Sequence, residues 1–398
     1  HPVNEFENLF IIKQINMNFI TTPTPKILFI CKLRHSYGGT HSYGIGNSSG
    51  LFNSAKFVSD MLNENDVESK IVEVTDNNSI DKEVSSYQPT HAIIEALWIV
   101  PEKFEVLTKL HPNVKWIIRV HSEIHFLANE GIAIEWISKY IKYPNVTVSF
   151  NSERTNEEFE AIYNKDENCK KFVYLPNYYD LQNVKKYKKH FEKKCKNTEY
   201  ECSDNYCTCN IKFKKHKDEI HFGCFGAIRP LKNQLIQAVA SIKFADSINK
   251  TLYFHINSQR MENRGEPVFK NIKNLFVGSK HKLVEHEWLQ RSEFIELMAQ
   301  MDMGLQVSFS ETFNIVSADF TALNKPVVTS NEIEHTFSLF DADCTSSDSI
   351  KWKIELAWFL SKINFQFINK IKLWLMAFKA KRTWLGFVHG FDAMNIED

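Results

Sequence analysis

A polar segment between two apolar stretches places two carboxylates beside a helix start. The segment is Ser308–Val328, SFSETFNIVSADFTALNKPVV. Its apolar residues recur at helical spacing and predict a helix from Thr312 to Leu323, with an inner face of Phe313, Val316, Phe320 and Leu323. Glu311 precedes this helix, and Asp319 lies about two turns inside it, on the predicted polar side. The segment therefore places one acid directly before a helix and a second acid inside it.

The same segment predicts what could bind there. A helix starting at Thr312 leaves the backbone N–H groups of Thr312, Phe313 and Asn314 without partners, at the positive end of the helix dipole. Such an end binds anions, and carboxylates accept hydrogen bonds from hydroxyl groups. An anion site beside two hydroxyl acceptors suits a sugar nucleotide. An ordinary capped helix with surface acids is the alternative interpretation.

A second segment supplies positive charge. In His221–Gln234, HFGCFGAIRPLKNQ, a predicted strand ends at Gly223–Gly226 and a helix begins near Asn233. Arg229 and Lys232 lie in the turn between them. Arginine can grip phosphate oxygens with two hydrogen bonds, whereas lysine acts as a point charge. A solvated basic turn is the alternative.

Composition and charge narrow the class of protein. The chain has 398 residues, 43% apolar and 24% charged, which is ordinary for a globular protein of two or three domains. Its 48 Lys and Arg balance 48 Asp and Glu, which excludes a globally basic nucleic-acid-binding protein. We find no apolar run of the roughly 18 residues that a membrane span needs and no signal-peptide pattern, and Met17 could be the native start. Eight cysteines are too few for a disulfide scaffold, so we expect a reducing, cytoplasmic location.

Short apolar strands alternate with amphipathic helices in two halves of the chain, which predicts βαβ units and parallel sheets. In the first half we predict strands at Ile27–Cys31, Lys70–Val74, Ala92–Trp98, Lys115–Val120, Val146–Phe150 and Lys171–Leu175, and helices at Leu51–Asn63, Glu102–Leu110, Ile132–Ile141 and Glu153–Tyr163. In the second half we predict strands at Glu219–Phe225, Leu252–Ile256, Asn274–Val277, Met303–Val307 and Pro326–Thr329, and helices at Gln234–Phe244, Ser292–Met301 and Thr312–Leu323.

The pattern divides the chain into an α/β protein of two doubly wound domains. Between the halves, Lys185–Lys217 contains 11 Lys against 4 acids and few apolar residues. We predict an N-terminal extension at 1–25, a first domain at 26–178, a Lys- and Cys-rich insert and linker at 179–218, a second domain at 219–348 and C-terminal helices at 349–398. Ligands of doubly wound sheets bind outside the carboxyl ends of the strands, so the site should lie in a cleft between the domains.

Taken together, these motifs resemble the retaining GT-B glycosyltransferases, specifically glycosyltransferase family 4, over about residues 26–330. The resemblance rests first on the turn with Gly226, Arg229 and Lys232, followed by two acids separated by seven residues, Glu311 and Asp319. Four further segments match in order: KILFICKLRHSYGG at Lys26–Gly39, IIRVHS at Ile117–Ser122, LPNYYD at Leu175–Asp180 and LNKPVV at Leu323–Val328.

The resemblance implies a GT-B fold, with two Rossmann-like domains facing across a cleft, and a C-terminal helix that crosses back to the first domain. It implies a retaining hexosyltransferase that moves a sugar from a UDP- or GDP-sugar to a hydroxyl of a glycan or other acceptor. Glycan or polysaccharide synthesis is the expected role. No cofactor and no essential metal is implied, nucleic acid is not an expected partner, and the oligomeric state stays open.

The resemblance also implies roles for single residues. Arg229 and Lys232 would bind the donor diphosphate and stabilise the leaving group. Glu311 would contact the transferred sugar, with the backbone of Thr312–Ile315 (Thr312, Phe313, Asn314 and Ile315) holding sugar and phosphate. His121 would lie beside the transferred sugar, and Asp319 would hydrogen-bond the ribose hydroxyls. The backbone would approach the donor closely at Gly38, Gly39 and Gly226.

Two departures from the family pattern keep other functions open. Asp319 stands where the family usually has Glu, and Thr312 and Asn314 stand where it has Gly. A glycan- or nucleotide-binding GT-B protein without catalysis is therefore one alternative. A nicotinamide oxidoreductase is another, with a glycine-rich loop at Gly44–Gly50 and Glu73 or Asp76 on the ribose.

Weaker signals lie outside these motifs. Cys195, Cys202, Cys207 and Cys209 could bind zinc, but their spacing is unfamiliar and free thiols are favoured. The Lys-rich insert around them is interpreted as a solvated loop, with an anionic membrane or glycan as the alternative contact. The pair Asp341 and Asp343 is interpreted as a surface turn. The C-terminal aromatics are expected to pack in the core and between domains: Trp352, Trp358, Phe359, Phe365, Phe367, Trp374 and Phe378.

Overall fold

The computed structural model describes residues 24–33, 50–163, 171–185, 187 and 215–390. Gly38, Gly39 and the cluster Cys195, Cys202, Cys207 and Cys209 lie outside these residues, as do the N-terminal extension up to residue 23 and most of the Lys-rich insert.

The first half of the chain forms a six-stranded parallel sheet in the order β2-β1-β3-β4-β5-β6. Its strands are buried on both faces by helices, which explains their continuous apolar sequences, such as ILFI in β1, whose four side chains are fully buried. The elements are β1 (Lys26–Lys32), α1 (Gly50–Asn63), β2 (Glu68–Val74), α2 (Ser79–Tyr87), β3 (His91–Glu95), α3 (Phe104–Leu110), β4 (Lys115–Val120), α4 (Ile124–Leu127), α5 (Ala133–Tyr140), β5 (Val146–Phe150), α6 (Glu153–Tyr163) and β6 (Phe172–Tyr174).

The second half forms a five-stranded parallel sheet in the order β11-β10-β7-β8-β9. Its elements are β7 (Glu219–Gly223), α7 (Gln234–Ser247), β8 (Thr251–Asn257), α8 (Gly265–Phe276), β9 (Lys282–His286), α9 (Arg291–Ala299), β10 (Met303–Gln306), α10 (Ile315–Ala322) and β11 (Val327–Thr329). In β10, Gly304 has no side chain because the ring of Phe320 lies directly on the strand, 2.3 Å from where a Cβ would be. The two parallel sheets confirm the predicted α/β class of doubly wound domains.

Element boundaries agree with the sequence best where the apolar pattern is strong. Strands β4 and β5 and helix α6 have their predicted bounds. The strand predicted at Asn274–Val277 is wrong, because Ile272 and Phe276 are instead the buried face of α8 and the strand is β9. Helices α2 and α8 were not predicted from the sequence. Helix α10 begins at Ile315, three residues after the predicted start.

Two helices end the described chain: α11 (Ser347–Ser361) and α12 (Phe367–His389). Trp358 of α11 packs on Phe244, with ring centroids 5.9 Å apart. Trp384 of α12 is fully buried in the first domain, where its ring lies 5.9 Å from Phe29 and its Nε1 donates to the Pro176 carbonyl at 2.8 Å. Helix α12 therefore contacts the first domain near its end.

The structure corrects the expectation that the C-terminal aromatics are all packed. Trp358 and Phe365 pack against the core of the second domain. The other five are exposed: Trp352, Phe359, Phe367, Trp374 and Phe378. Within the described residues, no helix combines the length and the hydropathy of a membrane-spanning segment.

Candidate functional site

The strand order of the second sheet selects where its ligand should bind. Strands β7 and β10 are neighbours, but the chain leaves them in opposite directions, toward β8 and toward β11. Loops that diverge from neighbouring strands open a crevice at the carboxyl end of the sheet. One of these loops carries Arg229 and Lys232, and the other carries Glu311. The fold thus brings the two predicted motifs together.

Lys232 and Glu311 form a partly buried ion pair at this crevice, their side chains hydrogen bonded directly. Asn314 Nδ2 donates to Glu311 Oε1 at 3.0 Å and fixes the carboxylate. Burial would raise the pKa of Glu311, but the charges of Lys232 and Arg229 outweigh it and hold the pKa below its ordinary value. Burial lowers the pKa of Lys232, although Glu311 opposes this. Each partner thus favours the ionised form of the other.

Arg229 bridges to a second acid and to the first domain. Its Nη1 donates to Glu262 Oε2 at 3.2 Å, and its guanidinium lies 4.7 Å from the ring centre of Phe126, which belongs to α4 of the first domain. Among the described residues, no acceptor lies within hydrogen-bond distance of the buried Arg229 Nε. Arg260 donates to the same Glu262, 2.6 Å from its Oε1. Three cations thus stand around the crevice: Arg229, Lys232 and Arg260.

The helix start that we predicted as the anion site lies one turn later. Asn314 is the N-cap of α10, and its Oδ1 accepts from Ser317 N at 2.8 Å. The backbone N–H groups of Thr312, Phe313 and Asn314 therefore precede the first turn of α10, which begins at Ile315. The first-turn groups left without an intrahelical acceptor are those of Ile315 and Val316, and both residues line the cleft.

A second helix start faces the first across the domains. Gly50, Leu51 and Ser54 from the first turn of α1 line the same cleft. Gly50 lies opposite Ile315, so that a Cβ on Gly50 would be 3.8 Å from Ile315 Cδ1. The positive ends of two helices thus meet beside the three cations, an arrangement that favours an anion.

Gly226 lines both the cleft and its inner recess. Its φ of +115° is a backbone conformation that other residues rarely adopt. Its N–H donates to Asn257 Oδ1 at 3.0 Å, which holds the turn after β7 in place. The predicted glycine is therefore required by its backbone conformation.

His121 lines the cleft from the first domain, directly after β4. Its Nε2 is hydrogen bonded to Glu95, and its Nδ1 lies 3.3 Å from Asn151 Nδ2. Burial lowers the pKa of His121 more than Glu95 raises it, so the ring is neutral at pH 7. Burial would raise the pKa of Glu95, but Arg119 and His121 outweigh it and hold the pKa below its ordinary value.

Arg119 and Glu95 form the buried base of this wall, and both side chains are fully buried. Arg119 donates to Glu95 at 3.2 Å, to Asn177 Oδ1 at 2.7 Å, and to the carbonyls of Leu175 and Pro176. Sequence reasoning missed both residues. The available signal was a charge inside each of two apolar strands, HAIIE and KWIIRV, where ionised side chains are rare unless paired.

Thr312 joins the two walls. Its Oγ1 accepts from Asn151 Nδ2 at 3.0 Å and lies 3.3 Å from the His121 carbonyl, to which it can donate. His121 and Glu311 thus border one cleft, as the sequence predicted for the catalytic residues. Phe313 closes the cleft beside Thr312, with its ring 5.0 Å from that of His335.

Asp319 lies deeper than predicted. It is fully buried, not on a polar face, and Arg291 contacts both of its oxygens, one of them at 2.6 Å. Tyr179 OH donates to the same carboxylate at 2.5 Å. Asp319 and Arg291 line the recess beside the cleft, together with Asn53 and Asn257. A ligand that reaches Asp319 in this recess would therefore also contact Arg291.

The cleft has a volume of about 250 Å³ and the recess about 80 Å³. Sequence reasoning missed Arg260, Glu262 and Trp288 in its lining. The first two follow the end of β8, so the rule that ligands bind beyond strand carboxyl ends could have found them.

Two other predicted motifs have structural roles in the described residues. Asp343 accepts from Thr345 N at 2.8 Å, as in a turn, whereas Asp341 forms an isolated β-bridge with Thr329 and accepts from its Oγ1 at 2.7 Å. Asp76 accepts from the backbone of Asn78 and Ser79 at the start of α2. Within the described ranges, no group of three or more His, Cys, Asp or Glu is placed to hold a metal ion.

No family model and no curated protein matches this sequence. Solved structures do match the fold. A UDP-forming trehalose-phosphate synthase from Burkholderia xenovorans, in complex with glucose-6-phosphate, has a TM-score of 0.64 at 9% identity and covers 91% of this chain and 100% of its own. The N-terminal domain of a Candida albicans trehalose-6-phosphate phosphatase has a TM-score of 0.63 at 10% identity, covering 93% and 97%.

Anabaena HepE in complex with UDP has a TM-score of 0.56 at 12% identity and covers 92% of this chain and 100% of its own. Because the likeness spans both domains, it confirms the GT-B fold, two Rossmann-like domains facing across a cleft. At these identities it shows the fold alone.

Proposed function

We propose that this protein is a retaining GT-B glycosyltransferase of the family 4 type, which uses a UDP- or GDP-sugar to glycosylate a hydroxyl acceptor. The observation that carries the proposal is the meeting of Arg229, Lys232 and the positive ends of α1 and α10 in one interdomain cleft. A diphosphate is the anion that this arrangement suits. The solved structures with this fold include a UDP-forming synthase and a protein in complex with UDP, which supports the choice of donor.

Different cleft residues would bind the diphosphate and the transferred sugar. Arg229 and Lys232 would bind the diphosphate, and the first turn of α10 at Ile315 would add backbone donors. Glu311 and His121 would lie beside the transferred sugar. The bond from the anomeric carbon to the diphosphate oxygen breaks, the acceptor oxygen bonds to the same face of that carbon, and the acceptor proton passes to the departing diphosphate. The two cations would stabilise the negative charge that develops on that leaving group.

Retention without an essential metal is part of this proposal. Three carboxylates line the cleft, those of Glu123, Glu262 and Glu311, and each contacts a cation of the protein. We therefore assign them to binding and not to nucleophilic attack, and assign to Arg229 and Lys232 the charge neutralisation that a metal can supply. Glycan or polysaccharide synthesis in the cytoplasm remains the proposed setting.

One observation favours a second candidate, a nucleotide-sugar-binding protein without turnover. Asp319, the proposed ribose contact, already has Arg291 and Tyr179 as partners. A donor would have to share this carboxylate with them, so its pose could be unproductive.

The deciding experiment incubates the full chain with a panel of UDP- and GDP-sugars and hydroxyl acceptors, with and without EDTA. We expect nucleoside diphosphate release with one donor, unaffected by EDTA, and a product with the donor's anomeric configuration by NMR coupling constants. Glu311→Gln should abolish most turnover, whereas Glu266→Gln, an exposed glutamate of α8, should not.

Four results would count against the proposal. An inverted product removes the retaining mechanism, and loss of activity in EDTA removes metal independence. Binding of a nucleotide sugar with no turnover across the panel supports the second candidate, and tight binding of NADH with no nucleotide-sugar binding removes the transferase altogether.

A further inference from the structure

The outer side of the C-terminal helices carries an unusual density of exposed apolar side chains. Eight of the twenty exposed large hydrophobic residues in the described chain fall within residues 352–378, with exposures between 45% and 66%. We call them the C-terminal apolar face: Trp352, Phe359, Ile363, Phe367, Ile371, Trp374, Leu375 and Phe378. A concentration of this kind on a folded chain marks a binding surface.

Helix α12 is apolar on two different sides. Its buried residues follow helical spacing and face the protein: Leu373, Ala377, Ala380, Trp384 and Val388. Its exposed apolar residues follow the same period on the other side: Phe367, Ile371, Trp374, Leu375 and Phe378. Since a helix packed on one side needs only one apolar stripe, the outer stripe has no role in the fold of the described chain.

The last part of the outer stripe is joined by a ring contact and ends in a cation. The rings of Trp374 and Phe378 stack, with centroids 6.2 Å apart, and the guanidinium of Arg382 lies 5.9 Å from the ring centre of Phe378. From Phe367 to Phe378 the stripe runs about 16 Å along the helix. On α11, Lys353 lies 5.3 Å from the ring centre of exposed Trp352.

Positive charge predominates around the face, although Glu355 lies between Trp352 and Phe359 and Glu153 accepts from Lys379 at 3.2 Å. The whole chain has no formal net charge, yet residues 356–390 contain six basic residues and no Asp or Glu: Lys362, Lys370, Lys372, Lys379, Lys381 and Arg382. Lys362 stands near one end of the stripe and Arg382 at the other, both exposed. A second copy of the same face would bring like charges together, which disfavours self-association.

We propose that the C-terminal apolar face binds the surface of an anionic lipid bilayer. Trp and Phe are favoured at the boundary between headgroups and acyl chains, and Lys and Arg beside them are attracted to anionic lipid. The face is a convex helix side, which suits a bilayer surface better than a groove would. This proposal places the protein at a membrane independently of the reaction in its cleft.

The test is flotation of the purified full chain with vesicles of phosphatidylcholine, with and without phosphatidylglycerol. We expect binding to the anionic vesicles that weakens as salt is raised. Trp374→Ala with Phe378→Ala should lower partitioning at least tenfold, because two aromatic side chains leave the interface. Lys381→Glu with Arg382→Glu should lower it by roughly fivefold for each cation lost.

Matched controls come from exposed positions elsewhere on the chain. Ile134→Ala with Ile162→Ala removes apolar side chains exposed by 54% and 56%, and Lys270→Glu with Lys282→Glu reverses exposed charges of the second domain. Both should bind like the parent chain. Because all substituted side chains are at the surface, melting temperatures should change little, which separates loss of binding from loss of folding.

Two outcomes would overturn the proposal. One is absence of binding to anionic vesicles. The face would then be covered by a second copy, by a segment of this chain outside the described residues, or by another protein. The other is equal vesicle binding by the parent chain and the Trp374→Ala, Phe378→Ala variant.

Discussion

The two walls of the cleft both contain buried charges, but the charges are satisfied in different ways. In the first domain, Arg119 donates hydrogen bonds to Glu95, to Asn177 and to two backbone carbonyls, all inside the protein. In the second domain, Lys232 and Arg229 line an open cleft, and the buried Arg229 Nε has no acceptor among the described residues.

This difference separates a charge network that supports the site from one that binds a ligand. A closed network of hydrogen bonds fixes the backbone and leaves nothing for a ligand to satisfy. An open set of cations beside helix N-termini is completed by an incoming anion. Substitutions of Arg119 and Glu95 should therefore act mainly on stability, and those of Arg229 and Lys232 mainly on binding and turnover.

Glu95→Ala should have the largest effect. It leaves the fully buried Arg119 without its carboxylate partner, which costs about 3–5 kcal/mol in the free energy of unfolding. Urea unfolding followed by circular dichroism measures it, with Glu105→Ala, an exposed glutamate of α3, as the control. A change below about 1 kcal/mol would mean that the first-wall network does not support the fold.

Lys232→Ala should mainly reduce turnover. Loss of one group that stabilises the leaving charge lowers kcat/KM by about 10²–10³-fold, or about 2.7–4 kcal/mol. The assay is nucleoside diphosphate release with the preferred donor, and Lys270→Ala on the exposed side of α8 is the control. If the two variants were equally active, the second wall would not be the donor site.

His335 should make the second wall sensitive to acid. It lies behind α10, where its Nε2 is 2.8 Å from Ser317 Oγ, and burial lowers its pKa to about 3. The unfolded chain, with a pKa near 6.5, then binds the proton more tightly. The neutral ring's contribution to the free energy of unfolding is complete above pH 6.5 and is lost as the pH falls toward 3. The loss reaches about 2 kcal/mol at pH 5.

Urea unfolding at pH 7 and pH 5 tests this, with His335→Asn as the variant. We expect the stability difference between the two pH values to be about 2 kcal/mol smaller in His335→Asn than in the parent chain. The same difference in both proteins would show that His335 is not buried as a neutral ring.

Tyr179→Phe should have the smallest effect. It removes one hydrogen bond to Asp319 while Arg291 remains, so we expect about 1 kcal/mol lower stability. If Asp319 also contacts the donor ribose, its freed oxygen should change KM for the donor severalfold with kcat nearly constant. Steady-state kinetics of both proteins measure this, and a large fall in kcat would place Tyr179 closer to the chemistry than the structure does.

The sequence predicted most of the framework because its signals are local. The mostly apolar strand KWIIRV and the period of the apolar residues in Glu153–Tyr163 depend on neighbours in the chain, and they gave β4 and α6 their bounds. It failed where two periods compete, as at Asn274–Val277, because a short apolar run fits a strand and the end of a helix alike.

The residue types at the second wall were also determined by the sequence: a glycine, two cations and an acid after two strands of a doubly wound sheet. Only the tertiary structure decided how their charges are used. Pairing of Lys232 with Glu311 joins residues 79 positions apart, and pairing of Arg291 with Asp319 buries an acid that helical spacing placed on a polar face.

The exposure of Trp374 and Phe378 was likewise decided only by the tertiary structure. In the sequence, α12 is apolar on both sides, and periodicity cannot tell which side the protein covers. Burial and ion pairing depend on what lies across space, which a linear pattern of residue types does not contain, whereas helix and strand formation depends on the few residues on either side.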